Sequence, residues 1–347
     1  MRKVLMIGLT PPLEGGSQRH IYEISSRIPN CKVLTQNGSI CKNKIELPLI
    51  KKPVFLRNII FAMLVKLQVL SLLLTLKKKY DIIHIHENLL YPYAIPLSLR
   101  YKIIITVHGM RGFKFYDNKI LWSFFRIGLK FANKIISVSI PDKELLGREF
   151  DNVVYIPNGV NIDTYLELTK KAEKKMSFIG RIHQQKGIVY LLEAFDKISK
   201  MYPDYKLEII GEINDYAREL RKKFPNKQII WKGFILDRKE LFSEILSSEI
   251  LVYPSLWEAL PWPALLEGLA SGRPVIASNL PGMSRVFLDK KNIALFEPGN
   301  SEELANLINI TLRQKEKSKK IGAGGKKLAK NYSWDKITKK ITNLYSK

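Results

Sequence analysis

The sequence predicts an α/β protein of two domains, each built on a parallel sheet. Three observations carry that prediction. At 347 residues the chain is long enough for two domains of ordinary size, each with its own core. Short apolar runs alternate with segments of helical period, the pattern that gives parallel strands joined by helices. An apolar fraction of 46% is that of a folded globular protein.

The first strand is Lys3 to Leu9. Gly15-Gly16 follow a short loop, and Ser17 is placed to cap a helix whose Ile21, Ile24 and Ile28 fall on one face. Strand, glycine pair and helix N-terminus together form an anion cradle, because the first N–H groups of a helix have no partner inside it. Residues 54–76 are the most apolar stretch. Arg57 and Lys66 interrupt it, which argues against a membrane span, since a span needs roughly 20 predominantly apolar residues. Wound as a helix, it lines up Arg57, Gln68, Ser71 and Thr75 on one stripe with a wide apolar face opposite, and Lys77-Lys78-Lys79 follow at once. Such a segment suits either a membrane interface or a helix packed on a sheet, and both hold if only part of the face is buried.

Asp81 to His86 closes the next strand. His84 and His86 are two apart and share a face, yet no third metal ligand lies near on that face; Glu87 is on the other. Lys102 to Val107 is a strand ending in His108, at the carboxyl end where ligands of open α/β sheets bind. Lys134 to Ser139 is another strand. The polar, lysine-rich segment from Asn161 to Lys175 reads as a linker, so the first domain is 1–165 and the second 166–347.

The second domain opens with strand Met176 to Gly180, a turn over 181–187, and a helix carrying Ile188, Leu191, Leu192, Phe195 and Ile198. Arg181 and Lys186 thereby flank a strand-to-helix turn, a favourable place for phosphate. Leu207 to Gly211 and Gln228 to Gly233 are two further strands. Ile250 to Tyr253 is a buried strand stopped by Pro254. Pro263 opens a helix with Leu265, Leu266 and Leu269 on its face, Gly272-x-Pro274 ends it, and Val275 to Ala277 starts a strand. Glu258 then sits at a strand's carboxyl end and Glu267 one turn into the next helix. Carboxylates so placed accept hydrogen bonds from sugar or ribose hydroxyls, but the spacing suits an ordinary loop and helix surface equally.

Pro254-Ser255-x-x-Glu258 with Glu267-x-x-Ala270-x-Gly272-x-Pro274-Val275-Ile276 resembles the signature of the retaining family 4 glycosyltransferases of the GT-B fold. Further stretches share that resemblance: Gly15-Gly16-Ser17-Gln18-Arg19-His20, Asp81-x-x-His84-x-His86, His108-Gly109, Ile156-Pro157-Asn158-Gly159-Val160 and Gly180-Arg181-x-x-x-x-Lys186-Gly187. It covers nearly the whole chain and is strongest over 176–300. There are two departures. Eight residues rather than seven separate Glu258 from Glu267, the extra one falling in Pro261-Trp262-Pro263. Pro281-Gly282-Met283-Ser284-Arg285 stands where a Gly-Gly-x-x-Glu turn is common, so no role passes to Arg285.

The resemblance implies two Rossmann-like domains facing a central cleft, with a terminal helix over 333–347 crossing back to the first domain. It implies transfer from a UDP- or GDP-sugar with retention. Arg181, Lys186 and backbone at Gly15 and Gly16 would hold the diphosphate, Glu267 the ribose, and Glu258 and His108 the sugar. No protein nucleophile and no cofactor are implied; the Asp-x-Asp pair of metal-dependent enzymes does not occur, and the His84-x-His86 strand is not a metal site in the family. The acceptor residues are not identified.

Composition adds the net charge of +25, with 24 basic against 11 acidic side chains in residues 1–165 and 33 against 21 in the remainder. A chain so basic is drawn to polyanions, whether nucleic acid, an anionic membrane face or nucleotide phosphates, unless the lysines serve solubility alone. The membrane reading, with residues 54–79, suggests a lipid-linked or glycan acceptor and a cytoplasmic enzyme peripheral to the membrane. Cys31 and Cys41 lie in no redox or metal spacing, and no secretory signal is visible, which fits a reducing compartment. Two other readings remain: a nucleotide-sugar epimerase on the same fold and a basic nucleic-acid-binding protein. The latter lacks a recognition motif, and a Rossmann dehydrogenase is disfavoured because no G-x-G-x-x-G follows the first strand.

Overall fold

The computed structural model describes residues 2–13, 15–49, 53–75, 78–110, 119–168 and 170–346. The chain forms two compact units, Met1–Gly159 with Trp334–Lys347 and Val160–Ser333. Each is a parallel α/β sandwich.

In the first unit the strands are β1 (Val4–Ile7), β2 (Cys31–Gln36), β3 (Lys44–Leu47), β4 (Ile82–Ile85), β5 (Lys102–Val107), β6 (Lys134–Ser137) and β7 (Val153–Tyr155). They lie in the order β3-β2-β1-β4-β5-β6-β7, all parallel. The middle strands are apolar at nearly every position because helices cover both faces, leaving no wet side to demand alternation. Helix α1 (Gly16–Ser26) buries Ile21 and Ile24 on one face. The other face carries α2 (Val54–Leu74), a 3-10 turn over Asn88–Tyr93, α3 (Ala94–Ser98) and α4 (Lys119–Lys130), with α5 (Ile140–Leu146) beside them.

Helix α2 inserts Phe61, Val65, Val69 and Leu72 into that core. Tyr93 Oη donates to the Ala62 carbonyl at 2.8 Å and Tyr101 Oη to that of Leu72 at 3.1 Å. Its residues Leu56–Leu74 are long and apolar enough to cross a membrane, which corrects the inference from Arg57 and Lys66 that the run is too interrupted. Packing on the sheet assigns one of its faces to the core instead. Leu76 and Lys77, part of the predicted apolar and basic runs, lie outside the described residues.

The second unit holds α6 (Ile162–Glu167), β8 (Lys175–Ile179), α7 (Ile188–Met201), β9 (Lys206–Ile210), α8 (Asp215–Lys223), β10 (Ile229–Gly233), α9 (Arg238–Ser247), β11 (Ile250–Tyr253), α10 (Pro263–Ser271), β12 (Val275–Ser278), β13 (Ala294–Phe296), α11 (Ser301–Arg313) and α12 (Lys315–Ala329). Its sheet runs β10-β9-β8-β11-β12-β13, again parallel. Helices α7, α8 and α11 cover one face, and α6, α9 and α10 the other.

The division at 165 and the linker over 161–175 are corrected here. Ile162 and Tyr165 of α6 are buried in the second core, so this unit begins at Val160. Lys175 is the first residue of β8, where its ammonium meets Glu244 at 2.7 Å and Glu208 at 2.9 Å. A lysine read as linker polarity is in fact the centre of a buried ion cluster. Thr169 of that segment lies outside the described residues.

The last helix, α13 (Trp334–Ser346), belongs to the first unit and buries Trp334, Ile337, Ile341 and Tyr345 beside α1. Gly159 lets Trp334 close in, since a Cβ there would meet the indole ring. Trp334→Ala is expected to cost about 3–5 kcal/mol, the usual loss for a buried aromatic. Urea unfolding reads this directly, and a midpoint indistinguishable from wild type would show that α13 is not docked in solution.

Candidate active site

Each sheet reverses its strand order once, between β1 and β4 in the first unit and between β8 and β11 in the second. At such a reversal the connections leave in opposite directions, so the loops after the two strands part and leave a crevice at their carboxyl ends.

In the second unit the loop after β8 carries Arg181 and Lys186, and the loop after β11 carries Glu258. The structure joins them: the Lys186 ammonium pairs with Glu258 Oε1, both groups largely buried. Ser255 Oγ donates to the same carboxylate at 3.0 Å. Gln185 Nε2 reaches it at 3.3 Å while also donating to the Trp257 carbonyl at 2.9 Å. The approach depends on Gly187, with φ 60°, where a Cβ would run into the Pro254 carbonyl oxygen. Arg181 is exposed and donates to Gln185 Oε1 at 3.4 Å, so the turn before α7 carries one exposed cation beside the paired Lys186.

Glu267, on the first turns of α10, pairs with Arg238 at the start of α9, and that guanidinium lies 4.6 Å above the Phe242 ring. The hydroxyls of Tyr165 and Tyr253 are buried without a hydrogen-bond partner among the described residues, and burial beside the Glu267 charge holds both well above the usual phenol range. Arg238 and Gln185 are site residues that no spacing in the sequence singled out, and Ser255 entered there only as part of a motif, with no role. Their roles exist only once β8, β11 and α9 are neighbours.

In the first unit Gly15, at φ 149°, precedes α1, which begins at Gly16. Ser17 does not cap this helix; its hydroxyl donates to Gln18 Oε1 at 3.1 Å, and no side chain caps the N-terminus. The backbone there keeps its first N–H groups for another acceptor. His108, after β5, lies within a cluster of imidazoles. His86 Nδ1 and His108 Nε2 share a hydrogen bond of 3.1 Å, and His20 packs edge-on to His108 with centroids 4.9 Å apart. His20 Nδ1 is bonded to Asn158 Oδ1 at 3.0 Å. The pair that sequence spacing offered for metal, His84 and His86, is separated in role: both His84 nitrogens are taken, by Tyr345 Oη and Thr106 Oγ1, each at 2.7 Å. Among the described residues the group able to take a metal is His20, His86 and His108, with ligand atoms within 4.8 Å of one another. The turn at Pro281–Arg285 forms a 3-10 helix over Met283–Arg285 that buries Met283 and leaves Arg285 exposed.

Burial keeps these imidazoles neutral. It lowers His20 to about 4 and His84 to about 3, and it drives His86 and His108 well below the ordinary histidine range, helped by their neighbours' charges. The unfolded chain therefore binds more protons than the folded one once the pH drops below about 6.5. Stability is full above that value and falls as the solution is acidified, by up to about 1.4 kcal/mol per pH unit for each imidazole still neutral in the fold. Urea midpoints between pH of about 7 and 5 check the sign. A flat profile would mean that these rings are hydrated and free to charge.

The sequence matches two family profiles, "Glycosyltransferase Family 4" over residues 14–164 and "Glycosyl transferases group 1" over residues 167–328. An uncharacterised glycosyltransferase of Methanocaldococcus jannaschii is 27% identical over 99% of this chain and 97% of its own. The Escherichia coli UDP-Gal:alpha-D-GlcNAc-diphosphoundecaprenol alpha-1,3-galactosyltransferase is 27% identical over 68% of this chain and 67% of its own. The Mycobacterium leprae phosphatidyl-myo-inositol mannosyltransferase is 26% identical over 77% and 73%. In fold, Anabaena HepE with UDP and glucose superposes with a TM-score of 0.81 at 18% identity over the whole of both chains. Two parallel sheets, their switch-point loops and these matches over both units place the chain in the family 4 glycosyltransferases of the GT-B fold, enzymes that take sugar from a nucleotide.

Proposed function

We propose that this glycosyltransferase moves a hexose from a UDP- or GDP-sugar to a lipid-linked or cell-surface glycan precursor with retention of anomeric configuration. It acts in the cytoplasm, peripheral to the membrane, and needs no metal. The observation that carries the reading is the Lys186–Glu258 pair at the switch point of the second sheet. It sets a cation where a diphosphate meets the start of α7 and a carboxylate where hydroxyls can be bound. HepE has been solved with UDP, which favours uridine here, and the undecaprenol-linked and phosphatidylinositol substrates in the relatives' names favour a lipid-borne acceptor.

In the reaction, the bond from the anomeric carbon to the diphosphate oxygen breaks as the acceptor oxygen bonds to the same face. The proton of the acceptor hydroxyl passes to the departing phosphate. Negative charge grows on that phosphate, and fixed positive groups lower the barrier most when they are placed beforehand. Arg181, Lys186 and the start of α7 take that part, with backbone N–H groups at Gly15 and Gly16 approaching the same phosphates. Glu267 accepts from the ribose hydroxyls, exchanging its bond to Arg238. Glu258 and the neutral His108 orient the sugar.

Thermal shifts with UDP, GDP and ADP are expected to single out one base, UDP first. Lys186→Gln should weaken that nucleotide about 10–100-fold, the value of one charge-assisted hydrogen bond, and Glu267→Gln should weaken it less. Unchanged affinity in both variants would remove the donor site from this turn. Proton NMR of the product, taken before it can mutarotate, should show the donor's anomeric configuration, with the rate unaltered by chelator. Donor incubated without acceptor should stay unepimerised; epimer formation would favour the epimerase reading.

A further inference from the structure

We infer that the first unit docks on an anionic lipid bilayer through two apolar stripes, one on α2 and one on α4, that the fold leaves uncovered. The membrane-peripheral placement proposed above is what this inference deepens, and it names the surface.

On α2 the side chains of Leu56, Met63, Leu67, Leu70 and Leu74 are 44–72% exposed. Their spacing of seven, four, three and four puts them on one line along the helix. That line lies diametrically opposite the buried residues Phe61, Val65, Val69 and Leu72. The helix is therefore apolar on two faces, only one of which the sheet uses. On α4 and the residue after it, Ile120, Phe124, Ile127 and Phe131 form a second line at the same helical spacing, 43–83% exposed, opposite the buried Phe125 and Leu129. Both helices lie on the same face of the first sheet. They are joined through the 3-10 turn at Asn88–Tyr93, against which Gly128 and the Phe125 ring close. Two exposed lines on one helical layer form an interaction surface, not scattered apolar residues.

Charge identifies the occupant. Residues 53–80 contain Arg57, Lys66 and three further lysines and no acidic residue; residues 119–134 contain Lys119, Arg126, Lys130 and Lys134 and likewise no acid. Lys66, Lys78, Lys79, Lys119 and Lys130 are exposed, while Arg126 is paired with Glu149 from α5's C-terminal side. Apolar lines on two segments whose own charges are all basic match a bilayer, which offers hydrocarbon below a layer of anionic headgroups. Arg100 donates to the carbonyls of Leu72 and Leu73, and with Tyr93 and Tyr101 it fastens α2 along its length. A helix held in this way cannot insert upright. It lies in the interface plane.

The test is co-sedimentation of the whole protein with vesicles of phosphatidylcholine alone or mixed with phosphatidylglycerol, at about 0.1 M and about 1 M salt. Nucleotide is left out, so the outcome is separate from that of the donor reading. Binding is expected on the mixed vesicles at low salt and at least about tenfold less on neutral ones. The double variants Leu67→Glu/Leu70→Glu and Phe124→Glu/Ile127→Glu should each lower partition by about tenfold or more. Their melting curves and nucleotide shifts should match wild type, because all four side chains are exposed. Three results overturn the inference: no binding to the mixed vesicles, equal partition on both kinds, or partition unchanged in both variants. A soluble dimer that either variant dissolves would also overturn it, because a second copy would then be what covers the stripes.

Discussion

A lysine and a glutamate facing each other at a strand reversal hold together the loops of the proposed donor site. Lys186 and Glu258 come from either side of the switch point in the second sheet, and each is about nine-tenths withdrawn from water. Burying two charges is costly unless the remaining lone pairs and protons find partners. Here Ser255 and Gln185 supply them, and Gln185 is itself anchored to the Trp257 carbonyl. These contacts tie the path from Pro254 to Glu258 to the turn before α7. The pair also accounts for the left-handed backbone at Gly187, since only glycine permits so close an approach to Pro254.

The first unit solves a different problem. Four of the five histidines of the chain sit around one strand end, largely buried and uncharged. They form a polar network inside an apolar sandwich: His84 between Tyr345 and Thr106, His86 on His108, His20 on Asn158. Tyr345 belongs to the last helix, and Trp334 of the same helix packs edge-on to His20 at 5.5 Å. The terminal helix is therefore part of the support of the histidine cluster, as well as a cover for the sheet. A neutral, positioned His108 suits a group that orients a sugar by hydrogen bonding and takes no share of charge.

On its other face the same unit carries α2 and α4, each with one apolar line turned into the core and another turned out. Only the inner lines are needed for folding. Retaining the outer ones costs solubility, which the surrounding lysines offset, and the arrangement makes sense for the membrane-held acceptor proposed above.

Much of this was legible in the sequence. The alternation of strands and helices, the parallel sheets, and the places of Arg181, Lys186, Glu258 and Glu267 at strand ends and helix starts follow from local periodicity and from glycine and proline positions, which act over a few residues. The cap at Ser17 and the boundary at 165 did not hold, and the partners of His84 and His86 carried no local signal. The boundary was decided by the second core, which takes Tyr165, and the two histidines by distant partners, Tyr345 and Thr106 for His84 and His108 for His86; the cap was lost because α1 already begins at Gly16. Arg238 carried no local signal at all. Likewise, the sequence of residues 54–76 establishes a wide apolar face opposite the stripe of Arg57, Gln68, Ser71 and Thr75, but which of its apolar lines meets the sheet and which is left bare is settled only by packing, since periodicity orders side chains around an axis without saying what lies beside it.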